Sequence, residues 1–281
     1  MFTIRGGFMQ TIAIITNKKK DTDGKITKKC EELLKDKYNL IFSNGTQEDE
    51  LKKILSQCQS AIVIGGDGTI LLVAGVASSL NVPILGINMG NMGFLADVEP
   101  TEIESALESF TKGDYSFDER FMIEASVKEK GTAEKKTLVA LNDLVISRAS
   151  YTRMIALDIF VDSQFAASYV GDGVVVSTPT GSTAYSLSAG GPIVDSSLDV
   201  CIITPVCPHS LGAKPMIVHG NSEISIRFHA NFDDISMLTS DGHKSIKISD
   251  GDEITINASS LKTRLIKISN KGFFEIFNKK L

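Results

Sequence analysis

The sequence predicts a protein of two domains, an α/β domain at the N-terminus and an all-β domain at the C-terminus. A chain of 281 residues is long enough to build two hydrophobic cores. As far as about residue 112, apolar runs alternate with stretches of helical spacing, whereas short strands separated by turns follow from residue 113. We therefore expect the α/β domain to span residues 1–112 and the β-rich domain to span residues 113–262.

Hydrophobic periodicity defines the N-terminal elements. Apolar runs rich in β-branched residues predict strands, and apolar side chains spaced by three or four residues predict helices between them. The predicted strands are 11–16, 38–42, 61–64 and 82–88, and the predicted helices are 25–37, 48–58 and a third that starts near Thr69. This β-α-β-α-β order predicts a Rossmann-like parallel sheet covered by helices, with right-handed crossovers.

The C-terminal half follows a period of two, which is typical of strands with one buried face. Ile224, Ile226 and Phe228 are an example of this alternation. Several such segments predict a sandwich-like β domain. The tail, residues 263–281, fits no single pattern, and we expect it to return and pack on the N-terminal domain.

The composition is that of an ordinary globular protein and disfavours several classes of function. Hydrophobic residues make up 42% and charged residues 22% of the chain, and the formal net charge is −5. An acidic chain without basic blocks argues against nucleic-acid binding, and no apolar run approaches the roughly 20 residues of a membrane helix. The four cysteines form no CxxC pair, so we expect reduced thiols in a cytoplasmic protein. Residues 1–8 look like an optional leader, with Met9 as an internal start.

A glycine-rich turn that carries one carboxylate joins the third predicted strand to its helix. The turn reads Gly65-Gly66-Asp67-Gly68 and is followed by Thr69. Glycines let backbone N–H groups approach a ligand closely, and a helix N-terminus favours phosphate. Because a carboxylate repels phosphate, Asp67 needs a further role, either as a ligand of Mg²⁺ or as the acceptor of a proton from an attacking hydroxyl. The ordinary alternative is that Asp67 only caps the helix.

A second stretch, residues 170–192, concentrates small hydroxyl side chains after a strand that we expect to be buried. Asp172 lies two residues before the apolar run 174–176, and the following loop contains eight Ser, Thr and Tyr residues. Neutral donors of this kind suit a ribose, an amide or a diphosphate. The alternative is a polar surface loop.

Two shorter motifs add candidate ligand contacts. Asn142 and Asp143 interrupt a strand-like run, and an amide beside a carboxylate can hold a vicinal diol, although the pair taken alone favours a turn. Phe94 follows the carboxyl end of the strand 82–88, where open α/β sheets place ligands. It could cover a base or belong to the core. The four histidines show no spacing typical of a metal site.

Taken together and in this order, the motifs resemble those of the NAD kinase family. The GGDGT turn alone also occurs in diacylglycerol kinases, sphingosine kinases and phosphofructokinases, whereas the segment 171–185 is highly specific to NAD kinases. The resemblance covers about residues 12–250. It implies an enzyme that phosphorylates the 2′-hydroxyl of the adenosine ribose of NAD to give NADP, with ATP as donor and a divalent metal ion, Mg²⁺ or Mn²⁺. It also implies a homodimer or homotetramer.

The resemblance assigns a role to each matching residue. Asp67 would be the catalytic residue and a candidate metal ligand. The donor phosphates would bind at Gly65, Gly66, Gly68 and Thr69. The NAD-binding residues would be Asp67, Gly68, Phe94, Asn142, Asp143, Asp172, Thr180, Thr183, Ala184, Tyr185 and Ser188.

Three residues depart from the family pattern. Many members have Glu in place of Asp143, Arg in place of Lys214 and Gln in place of His243. A lysine loses the bidentate geometry of an arginine if it contacts phosphate. These departures leave the assignment intact but leave the substrate preference open.

Two other functions use some of the same residues. A lipid or sugar kinase would share the glycine turn, but it would need a lipid entrance or cations for a sugar phosphate, and it leaves residues 171–185 unexplained. A nucleotide sensor would bind NAD without transferring a group, and the intact Asp67 argues against it.

Overall fold

The chain forms two compact units. The computed structural model describes residues 9–45, 47–90, 93–132, 134–149, 154–210, 212–229, 236–269 and 271–280. The first unit reaches as far as Arg120 and resumes at Lys262, and the second unit spans Phe121–Leu261. The first unit extends past the boundary expected at residue 112, because the strand Ser116–Arg120 pairs within its sheet. The expected leader, residues 1–8, lies outside the described residues.

Within the described residues, a six-stranded sheet forms the centre of the first unit. Its strands are β1 (Thr11–Thr16), β2 (Asn39–Ser43), β3 (Ser60–Gly65), β4 (Ile84–Asn88), β5 (Ser116–Arg120) and β18 (Thr263–Lys267). Their spatial order is β2-β1-β3-β4-β18-β5. The β5–β18 pair is antiparallel and the other pairs are parallel. The predicted α/β class is therefore confirmed, with a mixed sheet that is mostly parallel.

The helices of the first unit bury apolar side chains. They are α1 (Lys25–Leu34), α2 (Glu48–Leu55), α3 (Asp67–Ser79), α4 (Ile103–Lys112), which follows a 3₁₀ turn (Pro100–Glu102), and α6 (Phe273–Lys280). In α2, Leu51 and Leu55 are buried one turn apart, as the sequence spacing predicts. Every residue of β3 is buried, as expected for a parallel strand covered on both faces.

The tail of the chain lies in the first unit. Leu265 of β18 is aligned with Ile84 of β4 on one side, and β18 pairs along its whole length with β5 on the other. Asp97 accepts hydrogen bonds from the backbone N–H groups of Ile268, at 2.7 Å, and Ser269, at 2.8 Å. These contacts hold the segment that directly follows β18.

In the part of the chain that the structure describes, the second unit contains two six-stranded antiparallel sheets. The first has the order β10-β9-β14-β17-β6-β7, and its strands are β6 (Ile123–Lys128), β7 (Lys135–Ala140), β9 (Ile155–Val161), β10 (Gln164–Gly171), β14 (Ile224–His229) and β17 (Glu253–Ala258). The second has the order β13-β12-β11-β8-β15-β16, and its strands are β8 (Asp143–Arg148), β11 (Gly173–Ser177), β12 (Val200–Val206), β13 (Met216–His219), β15 (Ser236–Ser240) and β16 (Lys244–Ile248). A 3₁₀ turn (Thr180–Thr183) and α5 (Tyr185–Ser188) follow β11.

The two sheets of the second unit share one hydrophobic core. Ile226 and Ile256 contribute to it from the first sheet, and Val174 and Ile203 from the second. The predicted all-β, sandwich-like class is confirmed. Among the described residues, no helix has the length and apolar character needed to cross a membrane.

Candidate functional site

The glycine-rich turn joins β3 to α3 in the first unit. A Cβ added to Gly65 would lie 2.5 Å from Thr69 Oγ1, and one added to Gly66 would lie 2.5 Å from Lys20 Nζ. Either substitution would force the neighbouring atom to move. A Cβ on Gly68 would meet nothing within 4 Å. The backbone at Gly68 is therefore open to a ligand, whereas Gly65 and Gly66 make room for the protein's own side chains.

The carboxylate of Asp67 is fixed by a loop that follows β4. It accepts backbone hydrogen bonds from Phe94, at 2.9 Å, and from Leu95, at 3.1 Å. Gly66 is the residue that precedes α3, and no side chain caps this helix. The capping interpretation of Asp67 is therefore wrong. A Cβ on Gly93 would lie 2.0 Å from Asp67 Oδ1, so this glycine makes room for the carboxylate.

Two residues of the loop after β1 reach the same turn. Asn17 Nδ2 donates to Thr69 Oγ1 at 3.1 Å. Lys20 lies with its ammonium beside Gly66, within 4 Å of where a Cβ on Gly90 would be. Neither residue is among the predicted site residues, and the lysine run 18–20 carries no signal that singles out Lys20 as the one that reaches the turn.

A lysine from the C-terminal helix contacts Asp67. Lys280, at the end of α6, has its Nζ 3.3 Å from Asp67 Oδ2 and 4.4 Å from the centroid of the Phe94 ring. The Phe94 ring also lies 5.8 Å, centroid to centroid, from Phe273. In the first unit, the structure thus brings together the predicted residues Asp67 and Phe94 and adds Lys280 to them.

The capacity of this site for a metal ion rests on Asp67. Among the residues that the structure describes, no group of three or more His, Cys, Asp or Glu side chains could hold a metal. Mg²⁺ in phosphate-transfer sites is bound through one or two carboxylates together with the phosphates of the substrate. A single partly exposed carboxylate fits a metal ion that arrives with a nucleotide.

In the second unit, Asn142 and Asp143 lie at the start of β8 and are held by one half-buried carboxylate. Asp241 accepts backbone hydrogen bonds from Leu141, Asn142 and Asp143, at 2.9, 2.8 and 3.1 Å. The side chain of Asp143 is buried, and burial, followed by the charge of Asp241, raises its pKa to about 7. Burial also raises the pKa of Asp241, and the three N–H donors oppose that effect.

The hydroxyl-rich loop is largely folded on itself. Thr178 Oγ1 donates to the carbonyl of Leu141 at 2.6 Å, and Ser182 Oγ donates to the carbonyl of Pro179 at 2.6 Å. Ser186 shares a hydrogen bond of 2.9 Å with another buried hydroxyl. The alternative of a polar surface loop is wrong for these residues, since they are buried. Their hydroxyls stabilise the turn, which leaves fewer of them for a ligand than the sequence suggested.

The same loop is tied to the Asn142 turn. Thr178 N–H donates to the carbonyl of Asn142 at 2.9 Å, and a Cβ on Gly181 would lie 2.1 Å from that oxygen. The predicted residues Thr180 and Thr183 bound the 3₁₀ turn, with Thr183 Oγ1 donating to the carbonyl of Thr180 at 3.3 Å. The structure therefore brings these two sequence motifs together.

A cavity of about 320 Å³ opens beside this region. Its lining comprises Ser147, Arg148, Ala149, Asp172, Tyr185, Val206 and Cys207. Arg148 Nε lies 2.7 Å from Asp172 Oδ1, which fixes the carboxylate at the cavity wall. Burial, and then the neighbouring Cys207 and Asp172, raise the pKa of the Tyr185 hydroxyl. Two predicted nucleotide-binding residues thus share one concave site.

The two remaining predicted residues, Ala184 and Ser188, lie close in the sequence to Tyr185 of the cavity lining. Ala184 separates the 3₁₀ turn from α5, and Ser188 is the last residue of α5, with its N–H 3.4 Å from the carbonyl of Ala184. Arg148 and Asp241 were not among the predicted site residues. Arg148 is within six residues of the Asn-Asp pair, whereas the only signal near Asp241 was His243, two residues later.

Comparison with known families gives a match to each half of the chain. Residues 19–115 match the family model described as ATP-NAD kinase N-terminal domain. Residues 141–268 match the one described as ATP-NAD kinase C-terminal domain.

Individual relatives agree with these matches. The chain is 40% identical over 278 residues to an NAD kinase of Clostridium botulinum (strain ATCC 19397 / Type A), covering 97% of this chain and 96% of the relative. A crystal structure of an NAD kinase from Archaeoglobus fulgidus in complex with ATP is 28% identical, with a TM-score of 0.78, covering 96% of this chain and 98% of that one. Yeast NADH kinase complexed with NADH is 25% identical, with a TM-score of 0.79, covering 96% and 86%.

Proposed function

Since the chain belongs to the ATP-NAD kinase family, we propose that it transfers the terminal phosphoryl group of ATP to the 2′-hydroxyl of the adenosine ribose of NAD. The bond between the β,γ-bridging oxygen and the γ-phosphorus breaks, and a bond from the ribose oxygen to that phosphorus forms. The hydroxyl proton is released, and the products are ADP and NADP.

The position of Asp67 carries this proposal. Its carboxylate lies at the glycine turn, held by two backbone N–H groups and partly exposed to solvent. A carboxylate so fixed can accept the proton of an attacking hydroxyl, and a positioned base contributes about 10²- to 10⁴-fold to a rate. Positioning and electrostatic stabilisation supply the rest of the acceleration in phosphoryl transfer.

The donor phosphates have a matching surface at the same turn. The open backbone at Gly68 lies in the first turn of α3, where the helix dipole favours anions. Lys20 adds an ammonium beside Gly66. We expect the phosphates to contact Gly65, Gly66, Gly68 and Thr69 there.

A divalent ion, Mg²⁺ or Mn²⁺, belongs to this proposal as a companion of ATP. Bound to the phosphates, it would neutralise charge that develops on the transferred group. Asp67 is the residue of the first unit that would hold it.

In the second unit, two of the predicted residues suit a ribose of the dinucleotide. The carboxylate of Asp143 and the amide of Asn142 suit a ribose diol, because they can accept and donate at adjacent oxygens. Asp172 and Tyr185, in the wall of the 320 Å³ cavity, suit the amide of the nicotinamide end. Phe94, Thr180, Thr183, Ala184 and Ser188 complete the proposed NAD-binding set.

Two further expectations rest on the family resemblance rather than on the site. We expect a cytoplasmic enzyme that forms a homodimer or a homotetramer. Sedimentation of the purified protein would measure the oligomeric state directly.

The experiment that tests the function measures the product. The purified protein is incubated with NAD, ATP and Mg²⁺, and NADP is assayed with an NADP-specific dehydrogenase. We expect NADP to form, and no phosphorylated product from NAD that lacks the 2′-hydroxyl of its adenosine ribose. A parallel reaction with NADH measures the acceptor preference, since one similar structure is that of an NADH kinase. Phosphorylation of diacylglycerol instead of NAD, or NAD binding without any transfer, would contradict the proposal.

A further inference from the structure

The C-terminal helix brings a cation to the proposed catalytic aspartate. Lys280 Nζ lies 3.3 Å from Asp67 Oδ2 and 4.4 Å from the centre of the Phe94 ring, and Phe94 donates its own N–H to the same carboxylate oxygen at 2.9 Å. Ammonium, ring and carboxylate therefore form one cluster. We propose that Lys280 is a phosphate-binding residue of the active site, which holds the terminal phosphate of the donor beside Asp67. This inference rests on the proposed function.

The helix that carries Lys280 is anchored at its beginning. The ring of Phe273 packs 5.8 Å from that of Phe94. Lys271 Nζ lies 2.8 Å from the carboxylate of Glu102, and Asp97 accepts two backbone N–H groups from the segment that precedes the helix. Since these contacts fix the start of an eight-residue helix, the position of Lys280 at its end is set by the fold of the first unit.

The glycine turn places a carboxylate next to the proposed phosphate site. A triphosphate that binds at the N-terminus of α3 comes close to the carboxylate of Asp67, and like charges at short range repel each other. An ammonium on that carboxylate reduces the repulsion. It has three N–H donors and can bind Asp67 and a phosphate oxygen at the same time.

The Lys280–Asp67 contact is also open enough to accept a ligand. The two side chains are 36% and 30% exposed, so solvent and nucleotide reach both. Exposed ion pairs contribute little to stability, and charge-assisted hydrogen bonds to phosphate are strong. We therefore expect the ammonium to turn toward the phosphate when ATP binds rather than to exclude it.

The opposite interpretation is that Lys280 blocks Asp67 in the free enzyme. A block predicts that removal of the ammonium speeds turnover and leaves or improves the affinity for ATP. If Lys280 instead binds phosphate, removal of its ammonium should weaken ATP binding and slow turnover at low ATP concentration. The two interpretations therefore differ in the sign of the effect.

The test compares three variants of the full chain. Lys280→Met removes the charge, Lys280→Arg keeps it, and Lys279→Met is the matched control, because Lys279 pairs with Glu275 at 2.7 Å on the same helix. Calorimetry measures the binding of ATP and of inorganic triphosphate, and steady-state rates give KM for ATP and for NAD. We expect Lys280→Met to weaken binding of both phosphate ligands about 10- to 100-fold, with KM for NAD within about twofold of the wild type. The arginine variant should recover most of the affinity, and Lys279→Met should match the wild type.

Two results would overturn the inference: wild-type affinity for triphosphate in Lys280→Met, or faster turnover in that variant. Absence of NADP from the wild-type reaction would instead overturn the proposed function. The triphosphate titration would still decide whether Lys280 binds phosphate, because it needs no turnover.

Discussion

The buried carboxyl group of Asp143 makes the stability of the protein depend on pH. Asp143 is only 6% exposed. Burial, followed by the charge of Asp241, raises the pKa of its carboxyl group from 3.8 to about 7. Between pH 3.8 and about pH 7, the Asp143 carboxyl group keeps its proton in the folded chain and releases it in the unfolded chain. The stability from this group is therefore fully present below about pH 4 and is lost as the pH rises through 7.

The substitution Asp143→Asn removes this dependence. The two pKa values differ by about 3, and each pKa unit corresponds to about 1.4 kcal/mol. Above pH 7 we therefore expect the free energy of unfolding of the variant to exceed that of the wild type by up to about 4 kcal/mol. Near pH 4 the two proteins should be equally stable, because the carboxyl group is then protonated in the folded wild type.

Urea unfolding at pH 5, 6, 7 and 8, followed by far-ultraviolet circular dichroism, measures this difference. Asp199→Asn is the matched control, since Asp199 is an exposed aspartate of the same unit. The difference between Asp143→Asn and the wild type should grow with pH, whereas that of the control should stay near zero. A difference that is the same at every pH would refute the assignment of a raised pKa to Asp143.

Two further substitutions test how the site is held. Gly93→Ala places a Cβ 2.0 Å from Asp67 Oδ1. It should lower kcat by about 10²-fold, since a shift of about 1 Å at a reacting group has that cost. The control Gly75→Ala, where a Cβ meets nothing within 4 Å, should leave kcat unchanged. Arg148→Met removes the partner of Asp172 and should raise KM for NAD about tenfold with little change in KM for ATP, as expected for the loss of one hydrogen bond to a charged group. Arg227→Met, in the other sheet, serves as its control, and equal KM values for NAD in the two variants would contradict the role of Arg148.

Local sequence patterns were sufficient to predict the fold class and the turn that carries Asp67. The apolar run that becomes β3, the glycines after it and the apolar helix α3 are adjacent in the chain, so their spacing alone defines a strand-turn-helix unit. The period of two in β14 likewise predicts a half-buried strand. The roles assigned to the site residues stay predictions, because they come from the resemblance and from geometry.

The contacts that shape the site could not be predicted, because they join distant parts of the chain. Asp67 is held by Phe94, 27 residues away, and by Lys280, 213 residues away. Asp241 binds the backbone at Asn142 across 99 residues. For the hydroxyl-rich loop, prediction from the sequence fails for a different reason. Its composition is visible in the sequence, but which hydroxyls point inward depends on the buried carbonyl groups that they meet in the folded chain.

The most direct measurement is the rate of NADP formation by Asp67→Asn. At saturating ATP, Mg²⁺ and NAD, we expect a decrease of about 10²- to 10⁴-fold relative to the wild type. Calorimetry should show that NAD still binds, and Asp36→Asn, an exposed aspartate of the same unit, should retain the wild-type rate. A rate of NADP formation within a few-fold of the wild type in Asp67→Asn would contradict the catalytic role of this carboxylate.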